Sequence, residues 1–276
     1  MIEYRTATLP ELKLILDWAG DEGWNPGLDD AEAFFAADRD GFFVAVDRDD
    51  TPIAAISVVN HTPDFAFLGL YIVRPAYRGR GIGFGLWAHA MQHAKHRTVG
   101  LDGVEAQQQN YRASGFVHAG GTTRFTGHLP GQHDPDIRRI RSGDIPALIQ
   151  MEAEASGVAK PTYLQAWFSG ASTRTTIVLE DKGVIGGFCT VRSCRSGAKI
   201  GPLVAADTGM AYRLIAHAAT TFDGPVTLDV PETSAGLADL CERFGLEAGF
   251  KTARMYRGSS PARNHPTYAV TSLELG

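Results

Sequence analysis

The sequence predicts an α/β fold in tandem: two α+β units, each a central mixed β-sheet flanked by helices. Three observations predict it. The chain has 276 residues, 44% of them apolar and 21% charged, which is long for one compact unit and comfortable for two. Residues 65–91, FAFLGLYIVRPAYRGRGIGFGLWAHAM, run from a β-prone apolar segment through a glycine-rich turn into an apolar-periodic helix. The chain also repeats itself.

In that repeat, YRTATLPEL (4–12) aligns on IRSGDIPAL (140–148), and residues 42–59 align on 176–191, each reading as strand, charged turn, strand. LYIV (70–73) aligns on GPLV (201–204). Gly115, Thr122 and Arg124 each stand 130 residues before Gly245, Thr252 and Arg254. Each half therefore reads β-α-(α)-β-β-β-α-β-α-β. The polar, Pro/Gly-bearing stretch 127–136 places the boundary, giving units 1–130 and 137–276.

Composition narrows the class further. A net charge of −5 and a pI near 6.0, with no basic stripe, argue against a nucleic-acid partner. The first residues have neither a cationic leader nor a signal-type apolar core, and no run of 18 apolar residues occurs, so a cytoplasmic location away from membranes is expected. Three cysteines, Cys189, Cys194 and Cys241, suit a reducing compartment without disulfides. His89, His93 and His96 share one helix face but have no carboxylate or thiol beside them, so no metal is expected.

The glycine turn carries the chemistry. Arg78, Gly79, Arg80, Gly81, Ile82 and Gly83 would present bare backbone amides at the positive end of a helix dipole, with two guanidinium forks beside them, as a phosphate or pyrophosphate requires. A P-loop would need Lys-Ser/Thr after its last glycine, where Phe84 stands, and the G-x-G-x-x-G dinucleotide spacing fails in either register. What remains is R-x-x-G-x-G (Arg78, Gly81, Gly83) after a strand ending Val-Arg-Pro. That pattern resembles the acyl-CoA site of the GNAT superfamily of N-acetyltransferases. With GWNPG, YIVRP, RGRGIG, GLDGV and NYRASGF in order, the chain is similar over nearly its full length to bacterial two-domain GNAT proteins with a degenerate second domain.

The resemblance implies roles by position. A bulged fourth strand would offer the edge Tyr71, Ile72 and Val73 to pantetheine, as a ligand strand satisfies ladder groups a bulge leaves unpaired. Tyr111, four residues before the Gly115-Phe116 pair, would be the acid that protonates the departing thiolate. The helix carrying it must be short. The fourth strand holds no carboxylate, so the proton acceptor for the amine falls to Asp102, Asp64, Glu105 or His61; Asp102 is favoured, since a carboxylate in an apolar, Gly-rich strand needs a reason. Its bland reading is a turn cap before Gly103. Residues 16–35 would form the acceptor wall, rich in carboxylates, with Trp24 and Asn25 contacting substrate and Asp29 or Asp30 capping the next helix.

The second half departs from the pattern. After Val204 it has one glycine, Gly209, no arginine before the helix, and Cys241 where the first half has Tyr111. It is expected to keep the fold and lack a CoA site. The function implied is acetyl transfer from acetyl-CoA to the primary amine of a small molecule, directly, since no cysteine lies in the first half. The alternative is a non-catalytic acyl-CoA-binding sensor. In GNAT domains a hairpin follows the Gly-Phe pair; the second half has room for one in 251–256 and 267–275, whereas the first half has only 122–126. The edge left open there should be covered by the second domain or the linker.

Overall fold

The structure, a computed structural model, describes residues 2–262 and 267–276. The first half runs β1 (Glu3–Thr6), α1 (Leu9–Asp21), α2 (Asp30–Ala37), β2 (Phe42–Val46), β3 (Pro52–Asn60), β4 (Phe65–Val73), α3 (Ile82–Ala94), β5 (Thr98–Val104), α4 (Gln108–Ala113) and β6 (Val117–Gly127). The second half runs β7 (Ile137–Arg139), α5 (Ile145–Ser156), α6 (Pro161–Phe168), β8 (Arg174–Asp181), β9 (Val184–Ser193), β10 (Ala198–Ala205), α7 (Thr208–Ala218), β11 (Val226–Pro231), α8 (Ala235–Arg243), β12 (Glu247–Arg257) and β13 (Thr267–Ala269). Local chemistry sets the boundaries. Thr8 and Glu11 close a capping box at the start of α1, and α3 buries Ile82, Leu86, Ala90, Met91 and Ala94 along one stripe.

The strands form one continuous sheet in the order β1-β2-β3-β4-β5-β12-β6-β11-β10-β9-β8-β7, with β13 beside β10. Sequence order is broken only at its middle. There β12 leaves its own half to lie antiparallel between β5 and β6, while β6 lies between β12 and β11. Each half thus receives its missing strand from the other. Repeat-equivalent residues Thr122 and Thr252 face each other in this ladder, so the pseudo-twofold relating the halves passes between them. The expected hairpin of 251–256 with 267–275 does not form: β12 pairs across the junction, and β13 pairs β10 instead. The open edge of the first half is filled by backbone hydrogen bonds from the second.

Two ion pairs lock the exchange. Arg124 on β6 donates to both oxygens of Asp229 on β11 at 2.7 and 2.9 Å, and Arg254 on β12 donates to both oxygens of Asp102 on β5 at 2.8 and 2.7 Å. Both are cross-strand neighbours in register. Asp102 and Asp229 are fully enclosed, and a bidentate guanidinium is the partner that such a carboxylate needs.

Helices join the halves as well. Phe34 of α2 stacks on Trp167 of α6 with ring centroids 6.2 Å apart, in one core that also takes α1 and α5. Beneath it, Asp30 accepts from Gly27 N and from Arg192 Nη1, both at 2.7 Å, while Arg174 and Arg192 lie over the Trp167 ring. Asp29 accepts from Ser172 and Thr173. Asp29 holds the N-cap position of α2 as expected, but its side chain makes no cap hydrogen bond, being taken by the second half. Segment 270–276 crosses back to the first half: His61 Nε2 donates to the Leu275 carbonyl at 2.8 Å, and Lys160 Nζ donates to the Gly276 oxygen at 2.6 Å while pairing with Glu152. Among the described residues no helix is long and apolar enough to cross a membrane, and all three thiols are free and buried.

Arg254→Met should lower unfolding free energy by about 3–5 kcal/mol, because it leaves a buried carboxylate unpaired. Adding Asp102→Leu should recover most of that loss in urea denaturation; a single variant as stable as the parent would contradict the lock.

His61 is pushed down to about 3, first by desolvation and then by the nearby Lys160 charge. The unfolded imidazole protonates near 6.5 and the folded one does not, so its contribution is complete above pH 6.5 and is lost as pH falls from there toward 3. Stability should drop by at most about 1.4 kcal/mol per pH unit over that window. His61→Asn should flatten the urea midpoint against pH between 6.5 and 4.5, and equal slopes in both proteins would refute the assignment.

Candidate active site

The site forms where β4 parts from β5. Their parallel pairing runs from Phe65 opposite Thr98 to Leu68 opposite Leu101 and stops. On the other side of β4 the register with β3 slips between Ala55 and Ser57, so that two residues, Leu70 and Tyr71, stand against Ile56. Leu70 takes the left-handed conformation, φ 47°, to make this bulge. Tyr71, Ile72 and Val73 then diverge from β5, and no strand among the described residues pairs their edge on that side, as the bulged fourth strand implied by the resemblance requires.

The glycine turn stands at the head of that opening. Gly79 and Gly81 have φ of 75° and 76°, Gly81 is the N-cap of α3, and no side chain caps the helix, so its first amides are left for an external acceptor. A Cβ added at Gly79 or Gly81 would touch nothing, which marks open space over the turn; one at Gly83 would lie 2.7 Å from the Tyr71 hydroxyl. Arg78 spans the gap, donating from Nε to the Val73 carbonyl at 2.8 Å and pairing with Glu22. Arg80 lies over the Tyr77 ring. Residues 71–73 and 78–83 together line a single cleft of about 590 Å³, with Trp24, Val104 and Gln107 on its far wall.

The cleft leads to a second, small cavity of about 70 Å³ wedged between the diverging strands. The two share Trp24, Tyr71, Val104 and Gln107. Leu68, Leu70, Leu101, Phe250 and Leu273 make its apolar lining, and its polar side chains include Asp102, Tyr111 and Glu274. Tyr111 sits on the six-residue α4, preceded by a 3₁₀ turn, which is the short helix expected. Its ring is stacked on Trp87 at 5.7 Å and tilted against Phe116, while Trp87 also meets Tyr71. Burial, and then the neighbouring Tyr71, hold the Tyr111 hydroxyl well above the usual tyrosine range, so it stays protonated at any physiological pH. Its hydroxyl has no hydrogen-bond partner among the described residues.

Several sequence expectations change here. Asp102 does line the cavity, but both its oxygens are engaged by Arg254, so the reason for a carboxylate in that strand is the strand exchange. His61 lines neither cavity and serves as a latch for segment 270–276, while Asp64 and Glu105 lie outside both linings. Trp24 borders both cavities; its carbonyl accepts from Arg124 at 2.9 Å and Lys199 at 3.1 Å, which fixes the loop. Asn25 instead exchanges two hydrogen bonds with the Ser196 backbone. The acidic wall is largely neutralised: Asp17 and Asp21 pair with Arg195, Glu32 with Lys13, and Glu22 with Arg78.

Glu274, Phe250, Leu273 and the stacking Trp87 were not singled out in the sequence. The one signal the sequence offers is Glu274, a lone charge in the otherwise uncharged stretch TYAVTSLEL.

The second half shows the same opening filled. The register of β10 slips between Ile200 and Leu203, and β10 pairs β11 only over 198–200. Into that opening comes β13, antiparallel to β10, with Val270 N donating to the Asp229 carbonyl at 3.1 Å. At the helix head Asp207 caps α7, its carboxylate accepting from Met210 N at 2.8 Å. Where the first half leaves amides bare, the second supplies its own anion.

Comparison with known proteins agrees with this geometry. Residues 9–120 match the profile of the Acetyltransferase (GNAT) family, and residues 148–269 that of an Acetyltransferase (GNAT) domain. Over 277 aligned positions the chain is 36% identical to the holothin acyltransferase of Pseudoalteromonas sp. (strain SANK 73390), covering 99% of this chain and 94% of that one. A putative acetyltransferase from Pyrococcus horikoshii superposes with a TM-score of 0.84 at 20% identity, over 100% of this chain and 96% of that one. A tandem GNAT protein from the clavulanic acid biosynthesis pathway does so with a TM-score of 0.67 at 15% identity, over 94% and 100%. With two GNAT units in one sheet and a relative this similar along its whole length, the chain belongs to the GNAT acyltransferases, as a two-domain member of that family.

Proposed function

We propose that the protein transfers an acetyl group from acetyl-CoA to the primary amine of a small molecule, directly and in a ternary complex, in the cytoplasm. The observation that carries this reading is continuity: one opening runs from the bare amides of the α3 turn, along the free edge of residues 71–73, into the cavity that holds Tyr111.

Residues of this chain supply each step. The amides of residues 79–83 and the forks of Arg78 and Arg80 hold the pyrophosphate, with Arg78 exchanging Glu22 for it. The edge of Tyr71–Val73, numbered 71–73 in β4, pairs with pantetheine amides as an added strand. Tyr111 donates its proton to the sulfur as the C–S bond breaks. No cysteine lines either cavity, which favours direct transfer over an acyl-cysteine route. Trp24 and Gln107, common to both cavities, border the acceptor. The named relative acts on holothin, and a small amine suits a cavity of about 70 Å³. The second half takes no acyl-CoA, because β13 and Asp207 occupy the corresponding places; it completes the sheet and the acceptor wall.

Gly81→Asp should abolish acetyl-CoA binding in calorimetry with the fold intact, since a carboxylate and a Cβ would stand at the pyrophosphate position while φ is strained. Gly209→Asp, in the first turn of α7 in the second half, should leave the affinity unchanged. Unaltered affinity in Gly81→Asp would remove the assignment of the cleft.

Tyr111→Phe should bind acetyl-CoA normally and lower turnover by about 10²–10⁴-fold, the usual worth of general acid catalysis. A loss of less than about threefold would mean that solvent or another group protonates the thiolate.

A further inference from the structure

The small cavity holds two carboxylates in different states. Asp102 has both oxygens on Arg254. Glu274 is 3% exposed, lines the cavity, and its side chain has neither a hydrogen bond nor an ion pair among the described residues. Its oxygens are not among the sealed, unpaired side-chain atoms of the described residues, so the carboxylate opens to the cavity, where a cationic ligand can pair with it. The backbone puts it there firmly: the Glu274 carbonyl packs so closely on Gly69 of β4 that any Cβ at Gly69 would collide with it, and Leu275 N bonds the Ser272 hydroxyl at 3.0 Å.

The charged groups around it are already committed. Arg124 of β6 and Lys199 of β10 act on Glu274 electrostatically, as does Arg192 of β9, yet none forms an ion pair with it; Arg124 and Lys199 face Asp229, and Arg192 faces Asp30. Tyr71 and Tyr111 face the same cavity as neutral phenols, and the buried Tyr163 and Cys194 also feel the Glu274 charge.

We propose that Glu274 is a catalytic residue: its carboxylate binds the acceptor's amino group and takes its proton, and the acceptor is a small amine with an apolar body. This rests on the acetyl-CoA reading above and names the substrate class for it. The amine arrives as ammonium, complementary to the carboxylate of this cavity that has no partner among the described residues, while Leu68, Leu70, Leu101, Phe250 and Leu273 cover its apolar part. Glu274 takes one proton, which frees the nitrogen lone pair. The nitrogen bonds to the thioester carbon, the C–S electron pair leaves on sulfur, and Tyr111 protonates that sulfur. The second amine proton returns to the Tyr111 oxygen through solvent, and Glu274 releases its own to water. One proton leaves for each acetyl group moved.

The test uses the full chain with E274Q, which keeps shape and removes charge, and E274D, which keeps charge and moves it. Acetyl-CoA affinity is read by calorimetry, and thiol release is followed with a panel of primary amines between pH 6 and 9. E274Q should keep its acetyl-CoA affinity and lose about 10²–10⁴-fold in acceptor kcat/KM at pH 7. That deficit should shrink as pH rises and be smaller for weakly basic aryl amines, which are neutral without help; E274D should recover part of it. An E274Q enzyme within threefold of the parent, or a deficit independent of pH and of amine basicity, overturns the role of Glu274 while the acetyltransferase reading stands. A parent protein that binds no acetyl-CoA and releases no thiol with any amine overturns both.

Discussion

The structure depends on the exchange of one strand in each direction and on the two bidentate ion pairs that hold it. A β-strand missing from a sheet leaves a row of unpaired amides and carbonyls, which must be met by something. Here β12 meets them for the first half and β6 for the second. The buried aspartates then give the exchange its register: Arg124 reaches Asp229 and Arg254 reaches Asp102 only when the strands are aligned as they are. A slip by one residue would turn each guanidinium to the opposite face of the sheet.

The same exchange builds the candidate site from both halves. The larger cleft, from the α3 turn to residues 71–73, is lined by the first half alone. The inner cavity takes Phe250 and Thr252 from β12 and Leu273 and Glu274 from the following segment. Trp24, at the mouth of both, is held through its carbonyl by cations on β6 and β10. In the second half β13 fills the corresponding strand opening and Asp207 caps the helix, while the segment after β13 lines the cavity of the first half.

Much of this was legible in the residues, and the part that was not is of one kind. The repeat, the glycine turn and the short Tyr111 helix depend on neighbours in sequence, where turn chemistry and periodicity speak directly. Arg124 and Arg254 even surfaced as equivalent residues of the repeat. Their partners did not, because Asp102 and Arg254 are 152 residues apart and nothing local pairs them. Asp102 thus reads as a base in the sequence while both its oxygens are held by Arg254, and the acidic segment 16–35 reads as a wall while Asp17, Asp21 and Asp30 are paired across the junction. Glu274 is hidden for the converse reason: it lies far along the chain in an otherwise uncharged stretch, and only the crossing of segment 270–276 brings it into the cavity that Tyr111 lines.

If the exchanged strands make one cooperative unit, neither half can open alone. Native-state hydrogen exchange of the full chain, followed in low urea, tests this directly. The slowest amides of β5 and of β11 should share a single opening free energy and a single dependence on urea, equal to those of global unfolding. Amides of one half exchanging through a separate, lower-energy opening while the other half stays protected would contradict the account.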